Sequence, residues 1–260
     1  MTVRDTTRQV LPLDRITAVL FDMDGVITDT ASVHAAAWKR TFDEFLLDLS
    51  RSGGPPFRPF DLIEDYRRHV DGKARTAGIR DFLASRGLTL PDTAPPDRPE
   101  TMTVATLGDR KDRYFKDYID QYGVTAYPAT VRLIHRLRER GIRLAVVSAS
   151  RNCAAVLRAA GISDLFDVRV DGVDAARLRL PSKPDPALFL EAARRLDVSP
   201  ATTAVVEDSL SGVEAGRRGG FALVIGVDRA HQRAALYEKG AHIVVSSLAS
   251  LELTGAEVSP

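Results

Sequence analysis

Short apolar runs recur along the chain and alternate with segments of helical periodicity. The runs are rich in valine, isoleucine and alanine and cover residues 18–21, 144–147, 204–206, 222–227 and 243–245. Continuous apolar runs of this length are typical of parallel strands that are buried on both faces. The alternation of strand and helix predicts an α/β fold with a Rossmann-like, doubly wound parallel sheet.

Several helix boundaries can be read from single residues. Gly141 and Gly161 follow apolar helical patterns over 130–140 and 152–160, as glycine often does after a helix C-terminus. Asp185 and Pro186 predict the start of a helix that runs to about residue 196. Ser211 and Glu214 have the spacing of a capping box, and residues from Thr254 onward are expected to form a frayed tail.

The segment 30–126 interrupts the strand and helix alternation. It contains amphipathic helical stretches and no convincing buried strand, and proline and glycine mark loops at 53–59 and 91–102. We therefore expect an inserted α-helical cap over residues 30–126. The catalytic core would consist of residues 1–29 and 127–260.

Two carboxylates follow the first buried strand. Asp22 and Asp24 are one residue apart, and Gly25 allows the chain to turn away sharply. Ligands of open α/β sheets bind beyond the carboxyl ends of the strands. One acid there can attack a phosphorus atom while the other transfers the proton of the reacting oxygen. A plain solvated turn is the alternative interpretation of these residues.

Other strand ends supply the remaining groups of a phosphoryl-transfer site. Ser148 lies between a strand and a helix, where its hydroxyl and helix amides can meet a phosphate oxygen. Lys183 precedes another helix and can neutralise phosphate charge. Glu207 and Asp208 end a further strand and offer the hard oxygen ligands that suit Mg²⁺. Taken singly, these residues could be a helix N-cap, a surface lysine and an acidic turn.

Composition and charge narrow the choice of ligand. The net charge of +1 provides no general basic field for nucleic acid, so a small molecule is the expected partner. The N-terminus lacks the apolar run of a signal peptide, Cys153 is the single cysteine, and no stretch is long and apolar enough for a spanning helix. We therefore expect a cytoplasmic protein without a membrane partner.

These four motifs, in this order on four strand ends, resemble the haloacid dehalogenase superfamily of phosphotransferases. The resemblance implies an aspartyl-phosphate at Asp22, an acid and base at Asp24, and phosphate contacts from Ser148 and Lys183. It also implies Mg²⁺ held by Asp22, Glu207, Asp208 and the carbonyl of Asp24. An acid at Asp24 and a metal site argue against carbon–halide cleavage, and a helical cap argues for small substrates.

A finer resemblance is to the β-phosphoglucomutase family. It is carried by DGVITDTA, by the spacing of His34 and Trp38, by Gly72 and Arg75 in DGKAR, by Arg110 and Lys111, and by SASRN at 148–152. It implies that Arg75 holds a distal phosphate and that His34 relays cap closure to Asp24. Contacts to the sugar phosphate are implied for Lys111, Ser150 and Asn152. One departure is Asp112, which stands where many of these mutases have asparagine.

The resemblance implies conversion of β-glucose 1-phosphate to glucose 6-phosphate through a bisphosphate, with glucose 1,6-bisphosphate as activator. A sugar-phosphate phosphatase with the same Asp22 chemistry and water as acceptor is the first alternative. A non-enzymatic phospho-accepting module is a remote alternative, because such receiver domains are shorter and lack a cap. A dinucleotide-binding function is not favoured, since no GxGxxG motif follows the first strand.

Overall fold

The five predicted strands lie side by side in one parallel sheet. The computed structural model describes residues 9–255, and within this range the sheet has six strands. In chain order they are β2 (Ala18–Asp22), β3 (Arg143–Val147), β4 (Val168–Val170), β5 (Thr203–Glu207), β6 (Leu223–Val227) and β7 (Ile243–Val245). Their spatial order is β4-β3-β2-β5-β6-β7, which confirms the predicted doubly wound α/β fold.

The register of the central strands determines where the site forms. Asp22 of β2 lies beside Val147 of β3, and Phe21 lies beside Val206 of β5. All pairings in this sheet are parallel, so β2, β3 and β5 end at the same edge. The residues that leave these three strand ends therefore meet above the sheet.

Helices cover both faces of the sheet. They are α4 (Pro128–Arg138), α5 (Cys153–Ala159), α6 (Gly172–Leu178), α7 (Ala187–Leu196), α8 (Leu210–Arg218) and α9 (Arg233–Glu238). Strand residues of alternating direction belong to two separate hydrophobic clusters: Val19 and Phe21 pack with α4 and α5, whereas Ala18 and Leu20 pack with α7. The buried apolar runs of the sequence arise from this two-sided coverage.

The structure corrects two predictions about the core and adds strands that were not predicted. The side chain that caps α8 is Ser209, which accepts from the Gly212 amide at 3.0 Å, and not Ser211. The short strand β4 was not predicted. A separate two-stranded parallel sheet pairs β1 (Val10–Pro12) with β8 (Glu252–Thr254), so Thr254 is not frayed; residues 256–260 of the expected tail lie outside the described residues.

An all-helical insertion separates β2 from α4, as the broken strand pattern predicts. Its elements are α1 (Ala31–Arg51), a π-helical turn (Tyr66–Val70), α2 (Arg75–Ser85) and α3 (Val104–Tyr122). A third hydrophobic cluster lies wholly inside it, where Phe42 stacks on Trp38 and contacts Phe60 and Phe82. The insertion therefore has an apolar interior of its own.

The two chain segments that lead into and out of the insertion run beside each other. The Asp29 amide donates to the Thr125 carbonyl at 2.9 Å, and the Tyr127 amide donates to the Ile27 carbonyl at 2.8 Å. The Tyr127 hydroxyl also donates to Asp29 at 2.8 Å. Both connections are thus tied together at the edge of the sheet. Within residues 9–255, none of the helices combines the length and the hydropathy of a membrane span.

Phe42 provides a test of the insertion's interior. Replacing this fully buried ring by alanine should lower the free energy of unfolding by about 3–5 kcal/mol, because a cavity remains among Trp38, Phe60 and Phe82. Urea denaturation followed by circular dichroism measures the effect. Phe57→Ala is the matched control, since Phe57 is 40% exposed and should cost much less. Equal losses in the two variants would contradict this packing.

Candidate active site

A buried lysine joins two carboxylates at the strand ends. Lys183 is fully buried and its ammonium donates to Asp22 at the end of β2 and to Glu207 at the end of β5. The two carboxylates hold the pKa of Lys183 well above its ordinary value, against the opposing effect of burial. Lys183 therefore stays charged and serves as the countercharge of both acids.

Asp208 completes an acidic cluster with Asp22 and Glu207. One carboxylate oxygen from each residue lies within 4.8 Å of the others. Burial raises the pKa of Asp22 and of Asp208 well above the ordinary value, and Glu207 contributes to both shifts by repulsion. Three carboxylates and one ammonium leave surplus negative charge when all three acids are ionised. Three clustered hard oxygen donors with surplus negative charge fit a divalent cation such as Mg²⁺.

Glycine residues make room for this cluster. A Cβ on Gly25 would lie 1.8 Å from Asp208 Oδ2, and the φ of Gly25 is +79°. A Cβ on Gly212 would lie 1.8 Å from Glu207 Oε1. Glu207 is further fixed because its Oε2 accepts from the amide and the hydroxyl of Ser209, each at 2.9 Å. Close backbone approach therefore allows the carboxylates to crowd together.

Asp24 turns away from the acidic cluster and toward the cap. Its Oδ1 accepts from the Thr30 hydroxyl and lies 3.3 Å from His34 Nε2. Burial would raise the pKa of Asp24, but His34, Thr30 and Lys111 outweigh burial and the pKa lies below its ordinary value. The two acids of the motif thus occupy different electrostatic surroundings, which suits different chemical roles.

A lysine of the cap lies against His34. The Lys111 ammonium contacts His34 Nδ1 and lies 4.7 Å above the Phe115 ring and 5.3 Å above the Trp38 ring. Burial and repulsion by Arg75 lower the pKa of Lys111 to about 7. Burial and Lys111 likewise lower the pKa of His34. The Nδ1 atom of His34 thus faces Lys111, and Nε2 faces Asp24.

A second polar group lies where α3 of the cap meets the loop after β3. Asp112 Oδ1 accepts from the guanidinium of Arg75 and, at 2.7 Å, from the amide of Asn152. Asp112 Oδ2 pairs with Lys116 at 2.8 Å. Asn152 belongs to the core and Asp112 to the insertion, so this carboxylate links the two.

The loop after β3 presents hydroxyl groups before α5. Ser148 is buried, and its Oγ accepts from the Ser150 amide at 3.0 Å. The Ser150 hydroxyl in turn accepts from the Asn152 amide at 3.2 Å. These local bonds hold the turn in which the Ser148 and Ser150 side chains border the cavity.

A cavity of about 580 Å³ lies between the insertion and the sheet edge. The predicted site residues that line it are Asp22, Asp24, His34, Trp38, Gly72, Arg75, Lys111, Ser148, Ser150, Asn152 and Asp208. Lys183 and Glu207 lie behind its wall, where Lys183 contacts the two carboxylates. Residues more than 150 positions apart in the sequence therefore line one cavity.

Gly72 brings the insertion close to the core. Its φ is +67°, and a Cβ there would lie 2.5 Å from the hydroxyl oxygens of Ser209 and Ser211. The Ser211 hydroxyl donates to the Asp71 carbonyl at 2.9 Å. Burial and repulsion by Glu207 raise the pKa of Asp71 to about 7. A side chain at position 72 would hold the two parts of the chain apart.

Several cavity residues were not singled out from the sequence. Thr30 directly follows the aspartate motif and Asp71 directly precedes Gly72, so both could have been found by their neighbours. Arg151, which belongs to the SASRN motif but was given no role, also lines the cavity, as do Tyr66 and Arg179. Nothing in the local sequence of Tyr66 and Arg179 distinguishes them from ordinary surface residues.

Comparison with known proteins agrees with this arrangement. Residues 16–220 match the haloacid dehalogenase-like hydrolase family. The chain is 42% identical over 241 residues to "Beta-phosphoglucomutase" of Mycobacterium bovis, with 92% of each chain covered.

Two solved structures extend the likeness to the fold. One is a β-phosphoglucomutase from Clostridium difficile, with a TM-score of 0.69 and 25% identity over 91% of this chain and 93% of that one. The other is CbbY from Rhodobacter sphaeroides in complex with xylulose-(1,5)bisphosphate, with a TM-score of 0.67 and 26% identity over 92% of this chain and 97% of that one.

The buried lysine can be tested through stability. Lys183→Met should lower the free energy of unfolding by about 3–5 kcal/mol at pH 8, because Asp22 and Glu207 lose their buried countercharge. Burial already raises the pKa of Asp22, and loss of the lysine would raise it further. A carboxyl whose pKa is raised on folding stabilises the folded state at low pH, where it is protonated, and this contribution is lost as pH rises. The stability deficit of Lys183→Met should therefore be smaller at pH 5 than at pH 8.

Urea denaturation at pH 5 and pH 8, in the presence of a metal chelator, measures this difference. The matched control is Lys239→Met, because Lys239 pairs with Glu214 at 2.8 Å on the surface and is 45% exposed. That variant should lose less than about 1 kcal/mol at either pH. A Lys183→Met variant as stable as the control would show that the two acids do not need this lysine.

Proposed function

The chain belongs to the haloacid dehalogenase-like hydrolase family, and we propose that its activity is that of a Mg²⁺-dependent β-phosphoglucomutase. The observation that carries the proposal is that Arg75, a cation contributed by the insertion, lines the same cavity as Asp22 and Asp24. A further cationic contact in that cavity suits a sugar that carries a second phosphate.

Asp22, Asp208 and Glu207 would hold the metal, with the Asp24 carbonyl as a further ligand. Their carboxylate oxygens cluster within 4.8 Å, and burial, together with repulsion by neighbouring acids, raises the pKa values of Asp22 and Asp208. A bound cation would offset that repulsion. Mg²⁺ bound there would draw electrons from the phosphate and offset its charge.

In the proposed mechanism, an Asp22 carboxylate oxygen attacks phosphorus in line with the departing oxygen. The bond from phosphorus to the sugar oxygen breaks as the aspartyl-phosphate forms, and that oxygen takes the proton that Asp24 accepts from the sugar hydroxyl in the opposite transfer. Lys183 offsets the charge of Asp22 and Glu207 during the transfer. Positioning and electrostatic stabilisation supply most of the acceleration in such reactions.

Transfer back to the sugar uses the same groups in reverse. The C6 hydroxyl of β-glucose 1-phosphate attacks the aspartyl-phosphate, and Asp24 accepts its proton to give glucose 1,6-bisphosphate. The bisphosphate then turns round in the cavity, and its C1 phosphate passes to Asp22 to leave glucose 6-phosphate. Glucose 1,6-bisphosphate would also activate the enzyme, because it can phosphorylate Asp22 at the start.

The residues proposed for the sugar line the cavity between its two ends. Arg75 and Asn152 would bind the distal phosphate, and Ser148 the phosphate at Asp22. His34, Trp38, Lys111 and Ser150 would border the sugar ring, with Gly72 allowing the cap to lie close. Support comes from the 42% identity to a protein named β-phosphoglucomutase and from the bisphosphate bound by CbbY.

A sugar-phosphate phosphatase is the second candidate. The matched family is described as one of hydrolases, and water can take the place of the sugar hydroxyl in attacking the aspartyl-phosphate. The two candidates share Asp22, Asp24 and the metal ligands. They differ in how long the aspartyl-phosphate survives in the presence of water.

We test the function by incubating the protein with β-glucose 1-phosphate, Mg²⁺ and a trace of glucose 1,6-bisphosphate. Glucose 6-phosphate without inorganic phosphate is the expected result, and inorganic phosphate as the main product would indicate the phosphatase. Asp22→Asn should form no phosphoenzyme, because the attacking carboxylate oxygen is replaced. Asp24→Asn should reduce turnover by a factor of about 100 to 10,000, because the proton transfer is lost.

The control is Asp120→Asn, which removes an exposed carboxylate of α3 and should leave turnover unchanged. A phosphorylated Asp22→Asn variant would rule out Asp22 as the nucleophile. Normal turnover by Asp24→Asn would rule out Asp24 as the acid and base. Omission of Mg²⁺ should abolish both products.

We further propose that residues 30–126 close over a core formed by 1–29 and 127–260, with hinges at 28–30 and 126–128. The paired segments at Asp29 and Tyr127 and the separate apolar interior of the insertion support this division. Enclosure would exclude water from the aspartyl-phosphate. X-ray scattering should show a smaller radius of gyration with Mg²⁺ and a phosphate analogue than without ligands. An unchanged profile would count against closure.

A further inference from the structure

Arg229 holds the turn that follows Asp24. It lies in the loop after β6, and its Nε donates to the Gly25 carbonyl at 2.8 Å, although the two residues are 204 positions apart. Gly25 is buried and has a φ of +79°, and its amide donates to the Thr28 carbonyl at 2.8 Å. A buried carbonyl that loses its donor costs free energy, so Arg229 stabilises this conformation of the turn.

The guanidinium of Arg229 also packs on Tyr127. Its Cζ lies 3.8 Å from the centre of the Tyr127 ring, a geometry that favours a cation. The Tyr127 amide donates to the Ile27 carbonyl at 2.8 Å, so one stacked pair holds the carbonyls of Gly25 and Ile27. Because Tyr127 lies in the connection that leaves the insertion, Arg229 joins that connection to the turn.

The turn at Gly25 sets the position of Asp24. The Thr28 and Thr30 hydroxyls bond to each other at 2.9 Å, and Thr30 donates to Asp24 Oδ1. On the opposite side, Gly25 approaches Asp208 so closely that a Cβ on Gly25 would lie 1.8 Å from Asp208 Oδ2. Because Gly25 directly follows Asp24, a shift of its peptide group would turn the Asp24 side chain away from Thr30.

We propose that Arg229 is a positioning residue that fixes Asp24 for proton transfer. Arg229 does not line the cavity, so it acts through the Gly25 turn and not by touching the substrate. The inference rests on the proposed function, because it concerns the proton that Asp24 accepts when the aspartyl-phosphate passes to a hydroxyl. A reacting group that is misplaced by about 1 Å can slow such a step about a hundredfold.

Turnover of p-nitrophenyl phosphate with Mg²⁺ separates the step that needs Asp24 from the step that does not. When Asp22 attacks phosphorus, the bond to the aryl oxygen breaks and p-nitrophenolate leaves as a stable anion, without a proton. When water then attacks the aspartyl-phosphate, the bond from Asp22 to phosphorus breaks and Asp24 takes the proton of the water. In a stopped-flow experiment, the initial burst of p-nitrophenolate measures the first step and the later steady rate measures the second. A parallel run contains β-glucose 1-phosphate as the acceptor.

Arg229→Met should slow the steady rate about tenfold and leave the burst within about threefold of the unsubstituted chain, because only the second step needs Asp24 in place. Asp24→Asn should show the same selectivity with a larger loss. The matched control is Arg233→Met, because Arg233 is also partly buried but donates to the Val244 carbonyl of the edge strand β7, at 2.7 Å. Both rates should be unchanged in that control.

Arg229→Lys is a milder second variant. It keeps a cation near Tyr127 and one ammonium donor, so it should fold and show the same selective loss to a smaller extent. Thermal melts verify that each variant is folded, and Arg229→Lys decides the matter if Arg229→Met does not fold. Equal slowing of the burst and the steady rate would overturn the inference, because a general effect on the fold does not single out the second step. An unchanged steady rate in the deciding variant would also overturn it.

The same experiment separates this inference from the proposed function. If the unsubstituted chain shows both rates but β-glucose 1-phosphate neither speeds the second step nor yields a product, the sugar assignment fails. The selective loss with water as acceptor would still support the role of Arg229. Absence of the burst in the unsubstituted chain would overturn the proposed function and the inference together.

Discussion

The site depends on one buried cation between two acids. Lys183 has no exposed surface and contacts Asp22 and Glu207, which end neighbouring strands. Without a countercharge, two carboxylates at this depth would be protonated or would push the strand ends apart. With it, they remain close enough to Asp208 for their oxygens to cluster within 4.8 Å. The position of the candidate nucleophile and the presence of a candidate metal site therefore follow from the same interaction.

A second set of contacts connects this centre to the helical insertion. Asp24 accepts from Thr30 and lies near His34, which in turn contacts Lys111 of α3. Lys111 and His34 are buried together, and burial lowers the pKa of both; repulsion by Lys111 lowers the pKa of His34 further. The protonation of a core carboxylate is thereby linked to the position of a cap helix. Such a link suits an enzyme that must enclose its substrate before chemistry begins.

The two ends of the cavity differ in what they demand of a ligand. The Asp22 end is built from the sheet edge and would act on any phosphate ester that fits. Under the proposed function, Arg75 of the insertion and Asn152 of the core would bind the second group of the ligand, and Asp112, which accepts from both, does not itself line the cavity. Proteins with a common sheet can therefore act on different phosphorylated molecules when the insertion changes. Membership of the family accordingly indicates the phosphoryl-transfer chemistry, whereas the identity of the sugar belongs to the proposed function.

The sequence alone determined the central strands, the helical nature of the insertion and the four chemical motifs, because buried parallel strands and strand-end acids leave local patterns. Three short elements escaped it: β1 (VLP), β4 (VRV) and β8 (ELT) each contain a proline or polar residue that breaks the apolar run, whereas the equally short β7 (IVV) is apolar throughout. Local spacing also favoured Ser211 as the cap of α8, whereas Glu207 selects Ser209 by bonding to it. Only the tertiary structure decided that Lys183 lies behind the cavity wall and that Asp112 engages Arg75 and Asn152. Those contacts join residues 37 to 161 positions apart, and no local pattern records which distant partner a charged side chain will meet.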